Sequence, residues 1–137
     1  MGYVVFHPPD PRERWCRGCR GDVLELGIEV ATPWRGKGVA RGVLEVSFLD
    51  GALEDYIVLT TEYYWHWDLR GTSLNPYQYR TMLTRLFGSV GLEPRGTDEP
   101  DIASHPANML MVRMGRRVVP ERVLEFETLR YENRGFF

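Results

Sequence analysis

The stretch from Val23 to Phe48 constrains this chain more than any other. Leu24, Leu26, Ile28 and Val30 alternate with Val23, Glu25, Gly27 and Glu29, the period of two of a strand with one apolar face. Thr32-Pro33-Trp34-Arg35-Gly36-Lys37-Gly38 reads as a turn. Val39, Val43 and Val46, with Ala40, Leu44 and Phe48, then set out an amphipathic helix that ends near Asp50-Gly51. A strand that runs through a glycine-rich turn into a helix is an α/β unit. It also suits an anion, because the first helical turn leaves N–H groups unpaired at the positive end of the dipole. Glycines let the backbone close on a phosphate there. Arg35 and Lys37 add charge at the same place, and Lys37 is the only lysine among seventeen basic residues. Gly27, inside the strand, predicts a bulge or a close approach of backbone or ligand.

The rest of the chain supplies elements to pack around that unit. Tyr3 to His7 predicts a short strand stopped by Pro8-Pro9-Asp10-Pro11, with a loop to residue 22. Tyr56 to Thr61 predicts a buried strand, closed by Glu62, and an aromatic run follows from Tyr63 to Asp68. Asn75-Pro76 opens a helix on which Tyr79, Met82, Leu83, Leu86, Phe87 and Val90 share a face. Leu92 to Thr97 predicts a short strand. Ser104 to Met114 fits a helix through Ala107, Leu110, Met111 and Met114, or a strand through Leu110, Val112 and Met114; the helix is preferred. Pro120 to Arg130 predicts a last helix, and 131–137 a tail. The expectation is a single domain over 1–137.

Composition narrows the function classes. At 43% hydrophobic and 26% charged, the chain is no disordered or fibrous sequence. No apolar run reaches the ~18 residues that a membrane span needs. Met1 to Phe6 lacks the basic region and cleavage site of a secretory leader, so the expected location is the cytoplasm. Seventeen basic against nineteen acidic residues speak against nucleic acid. Met114 to Val123 faintly suggests a helix-turn-helix turn, which that charge disfavours. Cys16 and Cys19 give two of the roughly four ligands a zinc ion takes, so no metal is expected.

The dinucleotide fingerprint and the P-loop are both absent. Arg35-Gly36-Lys37-Gly38-Val39-Ala40 instead resembles the pyrophosphate-binding loop of the GNAT N-acetyltransferases. Leu24 to Val30 looks like their central strand. Tyr63 to Leu69 and Asp98 to Asn108 are similar to segments of a narrower branch, GNAT-like protein acetyltransferases of acetoin utilisation, as is Tyr3 to Trp15. The resemblance implies a mixed, largely antiparallel sheet flanked by helices. It implies acetyl-CoA as co-substrate and a protein lysine as acceptor, with acetyl-CoA synthetase as partner. In the cofactor site it places Gly27, Val30, Arg35, Gly36, Lys37, Gly38, Val39 and Ala40, with the backbone of Gly27 and Val30 polarising the thioester carbonyl.

The same resemblance makes Glu25, ten residues before Arg35, a candidate general base, with Glu29 on the same face as a second. Phe87 stands where many relatives carry an acidic tyrosine and cannot give a proton, so Tyr79 is the candidate acid, unless the thiolate leaves unaided. Tyr64, Trp65, His66, Trp67 and His105 are expected to line the acceptor site. A complete GNAT domain has two strands and one or two helices ahead of the strand at residues 3–7, so an N-terminally truncated fold is expected. That predicts a homodimer or contacts of residues 8–22 with the sheet, since a bare edge invites pairing. The competing reading is a non-catalytic acetyl-CoA-binding or scaffold domain.

Overall fold

The computed structural model describes residues 2–17, 21–30 and 38–132. Strands are β1 (Gly2–His7), β2 (Val23–Val30), β3 (Ile57–Glu62), β4 (Glu93–Arg95) and β5 (Met109–Met114). Helices are α1 (Val39–Ser47), α2 (Leu69–Thr72), α3 (Pro76–Gly88), α4 (Pro100–Ala103) and α5 (Pro120–Leu129). The strands form one mixed sheet in the order β1-β2-β3-β5-β4. Only β2 and β3 are parallel, and the other neighbours are antiparallel.

Each face of the sheet buries its own cluster. Leu26, Val58, Met109 and Met111 face Leu44 of α1 and Leu83 and Phe87 of α3. Val23, Ile57, Leu59, Leu110 and Val112 face Trp15, Ile102 and Phe126 of α5. α3 starts where the sequence says, because Asn75 and Gln78 form a reciprocal capping box ahead of Pro76. At the other end of the sheet, Glu54 is the clasp. Its carboxylate takes Arg113 Nη2 at 2.5 Å and the Arg116 N–H at 2.9 Å, and its backbone oxygen takes the Arg117 N–H at 2.9 Å.

Several expectations need correction. Residues 109–114 are a strand, not a helix, and only 100–103 of the preceding segment are helical. β5 lies between β3 and β4 and is covered on both faces, so Met109 to Val112 are all buried and the alternation that marks a strand is gone. α1 stops at Ser47, with Phe48 as its cap, and Val46 is 68% exposed rather than on the buried stripe. Met82 likewise projects outward from α3. The strand expected over 92–97 is confined to 93–95. Met114 ends β5, so residues 114–123 are strand, turn and helix, not two helices. The segment after β1 does contact the sheet: Trp15 is buried at 2% exposure and Arg14 at 8%.

Candidate active site

The main feature is a place where the sheet comes apart. β2 pairs with β3 over Val23–Glu25 against Ile57–Leu59 and no further. β2 continues to Val30 along β1, and β3 continues to Glu62 along β5. Beyond Glu25 and Leu59 the two strands therefore diverge and leave a wedge. In an antiparallel pair, alternate residues turn their N–H and C=O away from the partner strand. Within residues 26–30 those groups face the wedge, and no described strand receives them. The β1–β2 register is unbroken from Gly2↔Val30 to His7↔Glu25, so the bulge expected at Gly27 is absent. A side chain at Gly27 would meet nothing within 4 Å, so no other part of the described backbone makes the close approach expected there. Gly27 and Val30 are an odd number of residues apart, so only one of the two turns its N–H to the wedge.

Glu25 stands at the root of the wedge, on the face covered by residues 8–17. Its Oε1 is sealed from solvent with no donor among the described groups. Burial, first, and then the facing carboxyl of Glu13 and the charge of Asp10 push its pKa up to about 8. Two carboxyls in contact hold together only when one keeps a proton. His7 donates through Nδ1 to the Pro8 carbonyl at 2.9 Å, so a neutral His7 presents a bare Nε2, 3.8 Å from Glu25 Oε2. Glu29 is exposed, opposite Tyr3 of β1, and lacks any such enclosure.

Across the wedge, on the helix side of the sheet, Glu62 ends β3. It accepts Thr60 Oγ1 at 2.8 Å and Trp67 Nε1 at 3.3 Å, and burial raises its pKa against both donors. Trp67 stacks on Tyr79 of α3, centroids 4.9 Å apart and planes 13° apart. Tyr79 thus sits half-buried beside Glu62's own donor. The other aromatics gather separately at the same rim. Tyr64 packs on His105 at 4.4 Å, Tyr63 stacks on Trp65 at 4.9 Å, and His66 meets the edges of Tyr63 and Trp65. The Tyr64 N–H donates to Asn108 Oδ1 at 2.9 Å, which pins this shelf to the loop before β5.

α1 follows the wedge strand in sequence. Gly38 caps it at φ 75°, a left-handed conformation that glycine adopts without strain. Its N-cap is a glycine, which offers no capping side chain, and no acid lies in the first turn, so among the described residues nothing opposes an anion there. Arg35, Gly36 and Lys37 lie outside the described residues.

No family model matches the chain. Acetoin utilization protein AcuA of Bacillus licheniformis is 47% identical over 138 aligned residues, covering the whole of this chain, and AcuA of Bacillus subtilis matches equally well. The chain is a homologue of the AcuA proteins. A crystal structure of an acetoin utilization protein from Exiguobacterium sibiricum superposes with a TM-score of 0.93 at 50% identity over 98% of this chain. The chain spans 66% of each AcuA protein and 64% of the crystallised chain. The fold fits the GNAT resemblance in its mixed sheet and in the succession of β2 and α1 along the chain.

In this AcuA homologue, the structure brings Tyr64, Trp65, His66 and His105 together. It turns Trp67 away from them to Glu62 and Tyr79. It separates Glu25 from Glu29 by environment, although both lie on one face. Sequence reasoning missed two carboxylates, Glu13 and Glu62. Glu62 carried a usable signal, since it ends an apolar run and is followed within five residues by a tryptophan donor. Glu13 carried none, because its contact with Glu25 depends on how the 8–17 loop folds back. Among the described residues, no helix is long and apolar enough to cross a membrane.

Proposed function

We propose that this chain carries the catalytic part of an acetyl-CoA-dependent protein lysine N-acetyltransferase of acetoin metabolism, with acetyl-CoA synthetase as acceptor. The observation that carries the reading is the wedge. It offers backbone groups on β2 that no described strand pairs, and the next described element, α1, starts at a glycine without an acid in its first turn, a polarity suited to a pantetheine arm ending in a diphosphate. Bound there, acetyl-CoA supplies the thioester that is attacked.

The residues divide the work. Glu25, ionised, accepts a proton from the acceptor ammonium, and His7 offers that proton a path to solvent. The amine nitrogen then forms a bond to the acetyl carbonyl carbon. An N–H of β2 at Gly27 or Val30 holds the charge that develops on the carbonyl oxygen. The nitrogen sheds its second proton to water as the carbon–sulfur bond breaks, and the leaving sulfur takes a proton from Tyr79 or from water. Tyr64, Trp65, His66 and His105 form an aromatic shelf along which the methylenes of a lysine pass. Arg35 and Lys37 serve the diphosphate with the N–H groups of Gly38 to Ala40.

Calorimetric titration with acetyl-CoA tests the reading, beside a variant with Arg35→Ala and Lys37→Ala. Saturable binding that falls by about tenfold or more in the variant is the expected result, as for lost charge-assisted phosphate contacts. Absence of binding by the intact chain would remove the proposal for this chain. Binding without acetylation of acetyl-CoA synthetase, read by mass spectrometry, would favour the non-catalytic binding domain.

A further inference from the structure

Beyond the wedge, at the same rim, where β4 ends and β5 begins, a cavity of about 300 Å³ opens between α3, α4 and the two strands. Arg80 of α3, Arg95 of β4 and His105 line it with Thr97, Asn108 and backbone. No acidic side chain is among its lining residues. Arg95 is held by Glu93 at 2.5 Å, outside the cavity. Thr97 gives its hydroxyl proton to the Arg130 carbonyl, and Asn108 is used at both ends, by the Tyr64 N–H and the Asp101 carbonyl.

Two donors are left over. Arg80 Nε is shut off from solvent and has no hydrogen-bond partner. The Ala107 N–H donates to His105 Nδ1 at 3.0 Å, so a neutral His105 carries its proton on Nε2. Its ring is fixed between Tyr64 and Tyr77. A guanidinium nitrogen withdrawn from water without an acceptor is costly. Nε itself is out of a ligand's reach, but Arg80 borders the cavity and the terminal nitrogens of the same guanidinium make no hydrogen bond among the described residues, so its fork is left to match a carboxylate.

We infer that this cavity is a carboxylate-binding subsite, with Arg80 as its anchor and His105 as second donor. His105 belongs at once to this cavity and to the aromatic shelf. A carboxylate bound here therefore lies beside the path assigned to the acceptor lysine. It comes either from an acidic side chain near that lysine, which rests on the proposed function, or from a small free carboxylate, which does not.

The test uses sodium acetate as probe, titrated into the 137-residue chain at ionic strength held constant with chloride. The Arg80 Nε–H and His105 imidazole resonances are followed by NMR. Both should shift along one saturation curve. Arg80→Gln should weaken binding at least about tenfold, the scale of a lost charge-assisted pair, while Arg85→Gln on the exposed side of α3 should leave it unchanged. Far-UV circular dichroism checks the fold of Arg80→Gln, and the wild-type resonances decide the matter even if that variant is unstable. Lysine peptides that differ only by glutamate or glutamine separate the sources. Tighter binding of the glutamate peptide assigns the site to the acceptor, and equal binding of the peptides with saturable acetate assigns it to a free carboxylate. Resonances that do not move with acetate, or an Arg80→Gln variant that binds acetate as wild type, would overturn the subsite. Neither result bears on acetyl-CoA binding, which is measured separately.

Discussion

Glu25 carries the pH dependence at the scale of single residues. Its pKa in the fold is about 8, above the ordinary 4.5, so the folded chain keeps a proton that the unfolded chain releases. The stability this gives is full below about pH 4.5 and is lost as pH rises through about 8. Thermal melts of the wild type should therefore show decreasing stability across that window, and Glu25→Gln should flatten the decline. Activity should move the other way, since only ionised Glu25 takes a proton, and the rate should climb with pH toward about 8. In the same variant, turnover should fall by roughly 10²–10⁴-fold while acetyl-CoA affinity stays unchanged, measured by single-turnover kinetics beside calorimetry. Undiminished turnover would remove Glu25 as the base. Glu54 behaves oppositely: Arg113 and the Arg116 N–H hold it at about 2, so its contribution is present at neutral pH and is lost only toward that value. The position of Glu25 on a strand was legible in the sequence, because that strand alternates cleanly. The reason for its raised pKa was not, because burial and the Glu13 carboxyl both come from a loop packed across the sheet.

At the scale of elements, legibility follows how many faces of each element are covered. β1 has one face packed and one open, and its burial alternates residue by residue, while the β-rich run Tyr3-Val4-Val5-Phe6 marks it as a strand without alternating. β5 has both faces packed and both edges paired, and the same chemistry yields an apolar run that fits a helix as well as a strand. α3 announced itself through Asn75-Pro76, a local signal that needs no tertiary partner, and the capping box with Gln78 completes it. The turn between β5 and α5 gave no such signal, yet it is among the tightest points of the fold. A methyl group at Gly115 would run into the Glu54 carbonyl and come within 2.7 Å of the Tyr56 oxygen. Both neighbours are backbone, and Gly115 also donates its N–H to Tyr56 at 3.0 Å. Gly115→Ala should therefore cost about 1–3 kcal/mol in urea denaturation, as an overpacked site does. An unchanged midpoint would mean that the turn yields easily.

At the scale of the molecule, the sheet is two plates joined along a short seam. β1 and β2 form one, and β3, β5 and β4 the other. Packing beneath the sheet reinforces the seam at its root, where Arg122 of α5 reaches Asp22 with Nε at 2.7 Å and Nη2 at 2.9 Å. The root is thus tied by a bidentate pair and the rim by nothing comparable among the described residues. Hydrogen exchange should accordingly be slow in β3 and β5 and faster at residues 26–30, and acetyl-CoA should slow the latter selectively. Uniform protection across β2 would contradict this picture. The wedge also behaves like a hinge with its pin at one end: a small rotation at Val23–Glu25 becomes a larger displacement at Val30. A molecule lodged across the gap works as a splint, so occupancy of the cofactor site would be felt as stiffness at β1, on the far side of the plate from the ligand.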